Sequence, residues 1–180
     1  MLTVVSGTNR RNSETLYFAR HYAAVARELA DEPVELLSME DVPAAALHVD
    51  MYSKDGQDSS VAELQDRYIT PAGRFIFLLP EYNGGMPGVL KLFLDAISVR
   101  HYAENFKNKK AALVGIASGR AGNLRGLDHL NGVLQHMGTV VLPNKLPISS
   151  IGGMRDAAGS IIHADTRKAI RQQVEQLLAL

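Results

Sequence analysis

The sequence predicts a three-layer α/β fold, a parallel sheet with helices on both faces, and three observations carry it. Short apolar, β-rich runs alternate with longer runs whose apolar residues recur at helical spacing, the pattern of βα units. The strand-like runs "FIFLL" and "AALVGIA" lack alternating polar positions, so both faces of their sheet must be covered. The chain has 180 residues, 46% of them apolar and 21% charged, which suits one domain with a full core. No repeat, low-complexity tract or linker divides residues 1–180.

The elements follow in order. Leu2–Ser6 reads as a buried strand. Ser13–Ala30 reads as a helix with Leu16, Ala19, Ala23, Ala26 and Leu29 on one stripe. Pro33–Leu37, Arg74–Leu79 and Ala111–Ile116 are the next strands, and Thr139–Leu142 is a short fifth. Glu40–Gly73 is a long crossover, loop-like at "YSKDGQDSS" and helical over Ser60–Ile69. Pro87–Ser98 and Asn123–Met137 read as helices. Asp165–Leu180 closes the chain as a helix, with Ile170, Val174, Leu177 and Leu178 inward and Asp165 as N-cap.

Composition excludes several functions. The formal net charge is zero, which argues against nucleic acid or an acidic membrane as partner. There is no Cys, so disulfides, thiol chemistry and iron–sulfur clusters are ruled out for this chain. The N-terminal "MLTVVSGTNRR" places its apolar part before its basic part, the wrong order for a secretion signal. No apolar stretch is long enough to span a bilayer, and a cytoplasmic protein is expected. The six His form no H-E-x-x-H and no i, i+4 pair, so no metal site is expected.

Ligands of such sheets bind outside the carboxyl ends of the strands, where strand order switches. Three segments leave strands there: "SGTNRRNSET", "PEYNGGMPG" and "ASGRAGN". In the first, a helix N-terminus offers free N–H groups, Thr8, Ser13 and Thr15 add hydroxyls, and Arg10 adds a forked cation. That suits a phosphate monoester. The same residues also suit a plain cap at Asn12 or Ser13 with solvated arginines. In the second, Gly84 and Gly85 permit close approach to a planar ring, Pro80 and Pro87 stiffen the flanks, and Tyr82 and Asn83 offer packing and hydrogen bonds. A βα turn shaped by Gly and Pro alone is the other reading. The third is one residue short of G-x-G-x-x-G, but the next strand ends "VVLPNK", without the acid a dinucleotide fold needs. Lys145 there keeps a 2′-phosphate reading open.

"PEYNGGMPGVLKLFLD" resembles the signature of the NADPH-dependent FMN reductase family. "SGTNRRNSET" and "GIASGRAGNLRGLDHLNGVLQHMG" are similar to that family's first and third segments, in the same order and spacing. The resemblance implies a flavodoxin-like fold, a five-stranded parallel sheet in order 2-1-3-4-5, with FMN as cofactor and NADPH or NADH as reductant. It implies a phosphate seat at Thr8, Arg10, Ser13 and Thr15 with Asn9 backbone. It implies a flavin-edge loop at Pro80, Glu81, Tyr82, Asn83 and Gly84, and a third contact at Ser118 and Gly119. Three residues depart from the family pattern: Thr8 for Ser, Gly85 for Ser, and Asn123 for a frequent Gly after Gly122.

The activity implied is electron transfer from NAD(P)H through FMN to a quinone, azo compound, metal oxyanion or flavin, with ping-pong kinetics. The flavin performs the redox step, so no catalytic side chain is assigned. Backbone N–H groups near Gly84 or Gly119 are candidates to stabilise charge on the reduced ring, and Arg11 or Arg120 to meet a 2′-phosphate. The alternatives are a flavodoxin-like electron carrier or flavin-binding sensor without turnover, and a phosphate-binding hydrolase using the first loop alone. Helix 87–98 is apolar around most of its girth, and with the resemblance this predicts a homodimer or homotetramer. "RHYAENF" (100–106) either edges the ring pocket through Tyr102 or is a connector packed by Tyr102 and Phe106. Met51 and Tyr52 in the crossover either cover substrate or pad a subunit contact.

Overall fold

The computed structural model describes every residue except Lys54, which belongs to the loop-like "YSKDGQDSS" of the sequence reading. Its strands are β1 (Leu2–Ser6), β2 (Val34–Ser38), β3 (Arg74–Pro80), β4 (Lys110–Ile116), β5 (Val140–Val141) and β6 (Leu146–Ile148). Its helices are α1 (Glu14–Leu29), α2 (Ser59–Leu64), α3 (Gly88–Ala96), α4 (Tyr102–Phe106), α5 (Leu124–His136) and α6 (Ala164–Ala179). The sheet is parallel in order β2-β1-β3-β4-β5, the 2-1-3-4-5 order of flavodoxin-like folds.

The fifth strand position is divided. β5 pairs the start of β4 at Lys110 and Ala111, and β6 pairs its end from Val114 to Ile116. The sequence marked only the first piece, Thr139–Leu142. Pro143 follows it, has no N–H to donate and fixes its own φ, so the strand breaks and resumes after Lys145.

Continuous apolar strands are covered on both faces. Phe75, Phe77 and Leu79 of β3 join a core with α3, α5 and the crossover, while Ile76 and Leu78 join one with α1 and α6. All five are at most 1% exposed, which is why no polar position interrupts the run. On α1 the buried stripe runs through Phe18, Ala19, Tyr22, Ala23 and Ala26, and Leu16 and Leu29 sit half-buried at its margins. The aromatic pair wins the centre because it packs against α6, where the Tyr22 hydroxyl donates to Gln173 Oε1 at 2.7 Å. On α6 the cap is His163, which accepts from the Thr166 N–H, so Asp165 lies in the first turn and is not the N-cap. Leu178 there is half-buried beside Ile170, Val174 and Leu177.

The crossover is more ordered than its composition implies. Helix α2 widens into a π turn at Gln65–Ile69, and Gln65 is fully buried there. Its amide donates to Ile97 O, Arg100 O and Asn105 Oδ1, while Gln57 donates to Gln65 Oε1 and Ala96 O. This network holds the crossover on α3. The apolar girth of α3 is therefore covered mostly from within the chain: Leu90, Phe93, Leu94, Ala96 and Ile97 are buried, and Leu92 and Val99 are left exposed. Met51 is buried in that same core and Tyr52 faces solvent.

Candidate functional site

Strand register brings the three loops to one edge. Ser6 of β1 pairs with Leu78, Leu78 pairs with Val114, and Pro80 pairs with Ile116. The chain segments that follow open around a cleft of about 630 Å³, within the usual range for small-molecule sites. Of the residues read from sequence, Arg10, Ser13, Thr15, Pro80, Glu81 and Tyr82 line it, and so do Ser118 and Gly119. Thr8, Asn9, Asn83 and Gly84 do not.

The first loop ends at the N-terminus of α1. Ser13 is the N-cap, its Oγ accepting from Leu16 N at 3.2 Å, so that hydroxyl serves the helix first. The remaining first-turn N–H groups of α1 have no intrahelical acceptor, and they point with the positive end of the helix dipole toward the cleft. Thr8 is fully buried beneath the loop, where its Oγ1 accepts from Arg10 N at 3.2 Å and shares a hydrogen bond with the Tyr82 hydroxyl at 2.7 Å. It therefore shapes the cradle and ties the first loop to the second. Arg10, Arg11 and Arg120 are exposed around the cleft, and none forms an ion pair among the described residues. Glu14 at the rim is paired with Arg155 by two contacts of 2.8 Å, and that guanidinium holds its carboxyl below the ordinary value. Glu81 is the other carboxylate of the lining, and against it the three arginines leave the cleft net cationic.

The second loop is a pinched hairpin. Tyr82 and Gly85 exchange both backbone hydrogen bonds at 3.1 Å, and the two residues between them, Asn83 (φ 52°) and Gly84 (φ 77°), both have positive φ. That is the backbone of a type I′ turn, which Asn-Gly adopts with little strain. The shaped backbone of "EYNGG" thus builds a stiff tip beside the cleft. The N–H groups of Asn83 and Gly84 have no acceptor among the described residues. Pro87 is the N-cap of α3, one position before its first turn.

The third loop is held from two sides. Asn123 caps α5 with φ 61°, a left-handed conformation that Asn tolerates, so a Gly is not needed there. The strand-to-helix segment after β6 packs against the loop, with Ser150 N donating to Gly119 O at 3.2 Å and Ile151 N to Ala117 O at 3.4 Å. Ile151 thereby enters the cleft lining, as do Asn12 and Ile116. Nothing local in the sequence marks Ile151, since only the docking of β6 brings it there. Lys145, the residue of the dinucleotide reading, is paired with Asp128 at 2.8 Å. A second groove, of about 690 Å³, runs between α3 and α5 and includes Tyr102. It lies on a helical face, away from the strand ends, so Tyr102 does not edge the loop cleft. No group of three or more metal-ligating side chains occurs among the described residues, and no helix is long and apolar enough to cross a membrane.

A flavodoxin-like sheet with a cationic helix-end cradle and a stiff backbone tip at its strand ends defines a mononucleotide-binding protein of the flavin type. The donor set fits FMN: helix-end N–H groups and arginines suit its phosphate, and there is open space beside Gly119, where an added Cβ would meet nothing within 4 Å. Comparison with known proteins agrees. The profile of the NADPH-dependent FMN reductase family matches residues 1–152, and the chain belongs to that family of FMN- and NAD(P)H-using oxidoreductases. It is 32% identical over 145 residues to an NAD(P)H-dependent FMN reductase of Pseudomonas aeruginosa, covering 80% of this chain and 76% of that one. It is 28% identical over 181 residues to a 2-hydroxy-1,4-benzoquinone reductase of a Burkholderia species, covering 99% and 94%. Among solved structures it is similar to FerB, a flavoenzyme NAD(P)H:(acceptor) oxidoreductase of Paracoccus denitrificans, with a TM-score of 0.75, 27% identity and coverage of 99% and 94%.

Proposed function

We propose that this chain passes electrons from NAD(P)H through FMN to a small acceptor, a quinone, azo compound, metal oxyanion or flavin, by a ping-pong mechanism. The observation that carries this reading is the single cleft into which three separate strand-end loops converge, lined by Arg10, Arg11 and Arg120 and by the N-terminus of α1. FMN supplies the redox chemistry when bound. The residues of the chain bind and orient. Arg10 and the first turn of α1 take the phosphate, with Thr15 as a further hydroxyl donor, and Ser118 and Gly119 lie beside the other end of the ring. Backbone N–H groups near Gly84 or Gly119 are the ones to meet negative charge at the ring's polar edge, in the manner of an oxyanion hole. Arg11 or Arg120, neither in an ion pair among the described residues, takes the 2′-phosphate of NADPH.

The α3/α5 groove, with exposed Leu92 on the adjacent face, is the surface proposed for a homodimer or homotetramer. An anaerobic absorption spectrum with FMN, followed by NADPH, tests the reading. Flavin bands that bleach on NADPH addition, and parallel double-reciprocal lines with a quinone, are expected. Bands that persist would leave a carrier or sensor, and no flavin binding at all would sink the site.

A further inference from the structure

Asn123 stands out among the groups outside the cleft lining. It is fully buried, in a left-handed conformation, and committed at every polar atom of its side chain. Its Nδ2 donates to Leu79 O at 3.1 Å and to Pro80 O at 2.9 Å, the last two carbonyls of β3. Its Oδ1 accepts from Gly126 N at 3.1 Å, inside the first turn of α5. The β3–β4 ladder ends at Pro80 and Ile116, and this amide continues it by one more rung from a side chain. The socket admits little else. A Cβ at Gly126 would meet Asn123 Oδ1 at 2.3 Å, and one at Gly115 would meet Gly122 O at 1.9 Å and Asn123 Cβ at 3.2 Å.

The bonds join the two walls of the cleft. Leu79 and Pro80 lead directly into the Glu81–Tyr82 tip, and Asn123 follows directly on the Ser118–Gly122 loop. We propose that Asn123 is a positioning residue, its buried amide setting the separation of the second and third loops and so the width of the FMN slot. This rests on the FMN reading above. The chemistry selects Asn: two carbonyls need a donor, one N–H needs an acceptor, and only a short amide offers both at that reach while tolerating positive φ. An ionised Asp has no donor, and Gly keeps the backbone conformation but makes none of the three bonds.

The test measures the FMN dissociation constant by flavin fluorescence quenching and the melting temperature without FMN. The proteins are wild type, Asn123→Gly, Asn123→Asp and a control, Val174→Ala, whose cavity lies in the core of the opposite sheet face. Losing the two donors should weaken FMN binding about tenfold or more in both Asn123 variants. Val174→Ala should melt lower yet bind FMN as wild type does. Asn123→Asp keeps the shape and the acceptor for Gly126 but turns a buried carboxylate onto two carbonyls, so Asn123→Gly, which buries no charge, reports even if Asn123→Asp does not fold. Wild-type affinity in the Asn123 variants would overturn the proposal, as would a loss of affinity that simply tracks melting temperature across all three. A wild-type protein that does not bind FMN would overturn the functional reading itself, and that result is read before any variant is compared.

Discussion

Thr8 shows how one hydroxyl can serve two loops. It accepts from Arg10 N and shares a bond with the Tyr82 hydroxyl, so it braces the cradle without lining it. Thr8→Val keeps the shape and removes the hydroxyl. It should weaken FMN binding by roughly three- to tenfold, read by fluorescence quenching, since a net hydrogen bond is worth about 1 kcal/mol. Glu14 carries a pH dependence. Hydrogen bonding from Arg155 lowers its carboxyl pKa from the ordinary 4.5, partly opposed by burial. A carboxyl whose folded value lies below its unfolded one stabilises the fold above the unfolded value and loses that contribution as pH falls through the folded one. The two side chains are 30% and 40% exposed, so solvent screens the pair and its contribution is small. Glu14→Gln should therefore melt slightly lower than wild type at pH 7, with the gap closing as the pH falls below 4.5, in melts at pH 7, 4 and 3.

Among the elements, the broken edge strand depends on a glycine in the loop beside it. Gly122 has φ 57°, and a Cβ there would meet Pro147 Cβ at 2.6 Å, so it lets β6 dock beside the third loop. Gly122→Ala should cost about 1–3 kcal/mol and be visible as a lower melting temperature. Gly132 is the opposite case. It faces the α3/α5 groove with nothing within 4 Å of its Cβ position. Gly132→Lys should leave the monomer fold intact, and helix propensity should favour it by about 0.5–1 kcal/mol. If the groove is the proposed subunit interface, the substitution should shift sedimentation from dimer to monomer. An unchanged dimer would place the interface elsewhere.

At the scale of the molecule, a ligand seated across three loops must stabilise the fold. FMN at a hundred times its dissociation constant adds about 2.7 kcal/mol, which should raise the melting temperature by roughly 5–10 °C in a thermal melt. No shift would mean that the three loops do not close on FMN. The layers of the fold and the three loops were legible in the sequence because they are local. Periodicity marks which residues are buried, and Gly, Pro and hydroxyl residues mark where strands end. Loop two was legible as shaped backbone because Asn83 and Gly84 together favour one turn type. The cover over α3 was not legible, because an apolar face announces that it needs a partner and not whether the partner lies in the same chain.

The sequence by itself therefore determined the βα alternation, the both-faced burial of β3 and β4, and the gathering of phosphate- and ring-suited residues at one sheet edge. Only the tertiary structure decided that Ile151 enters the cleft, that Thr8 meets Tyr82 across 74 positions, and that Asn123 joins β3 to α5 across 43 and 44. The reason is physical. Local pattern sets how a residue presents its groups, but a hydrogen bond or contact between distant segments exists only once the sheet register and helix docking have fixed where both partners stand.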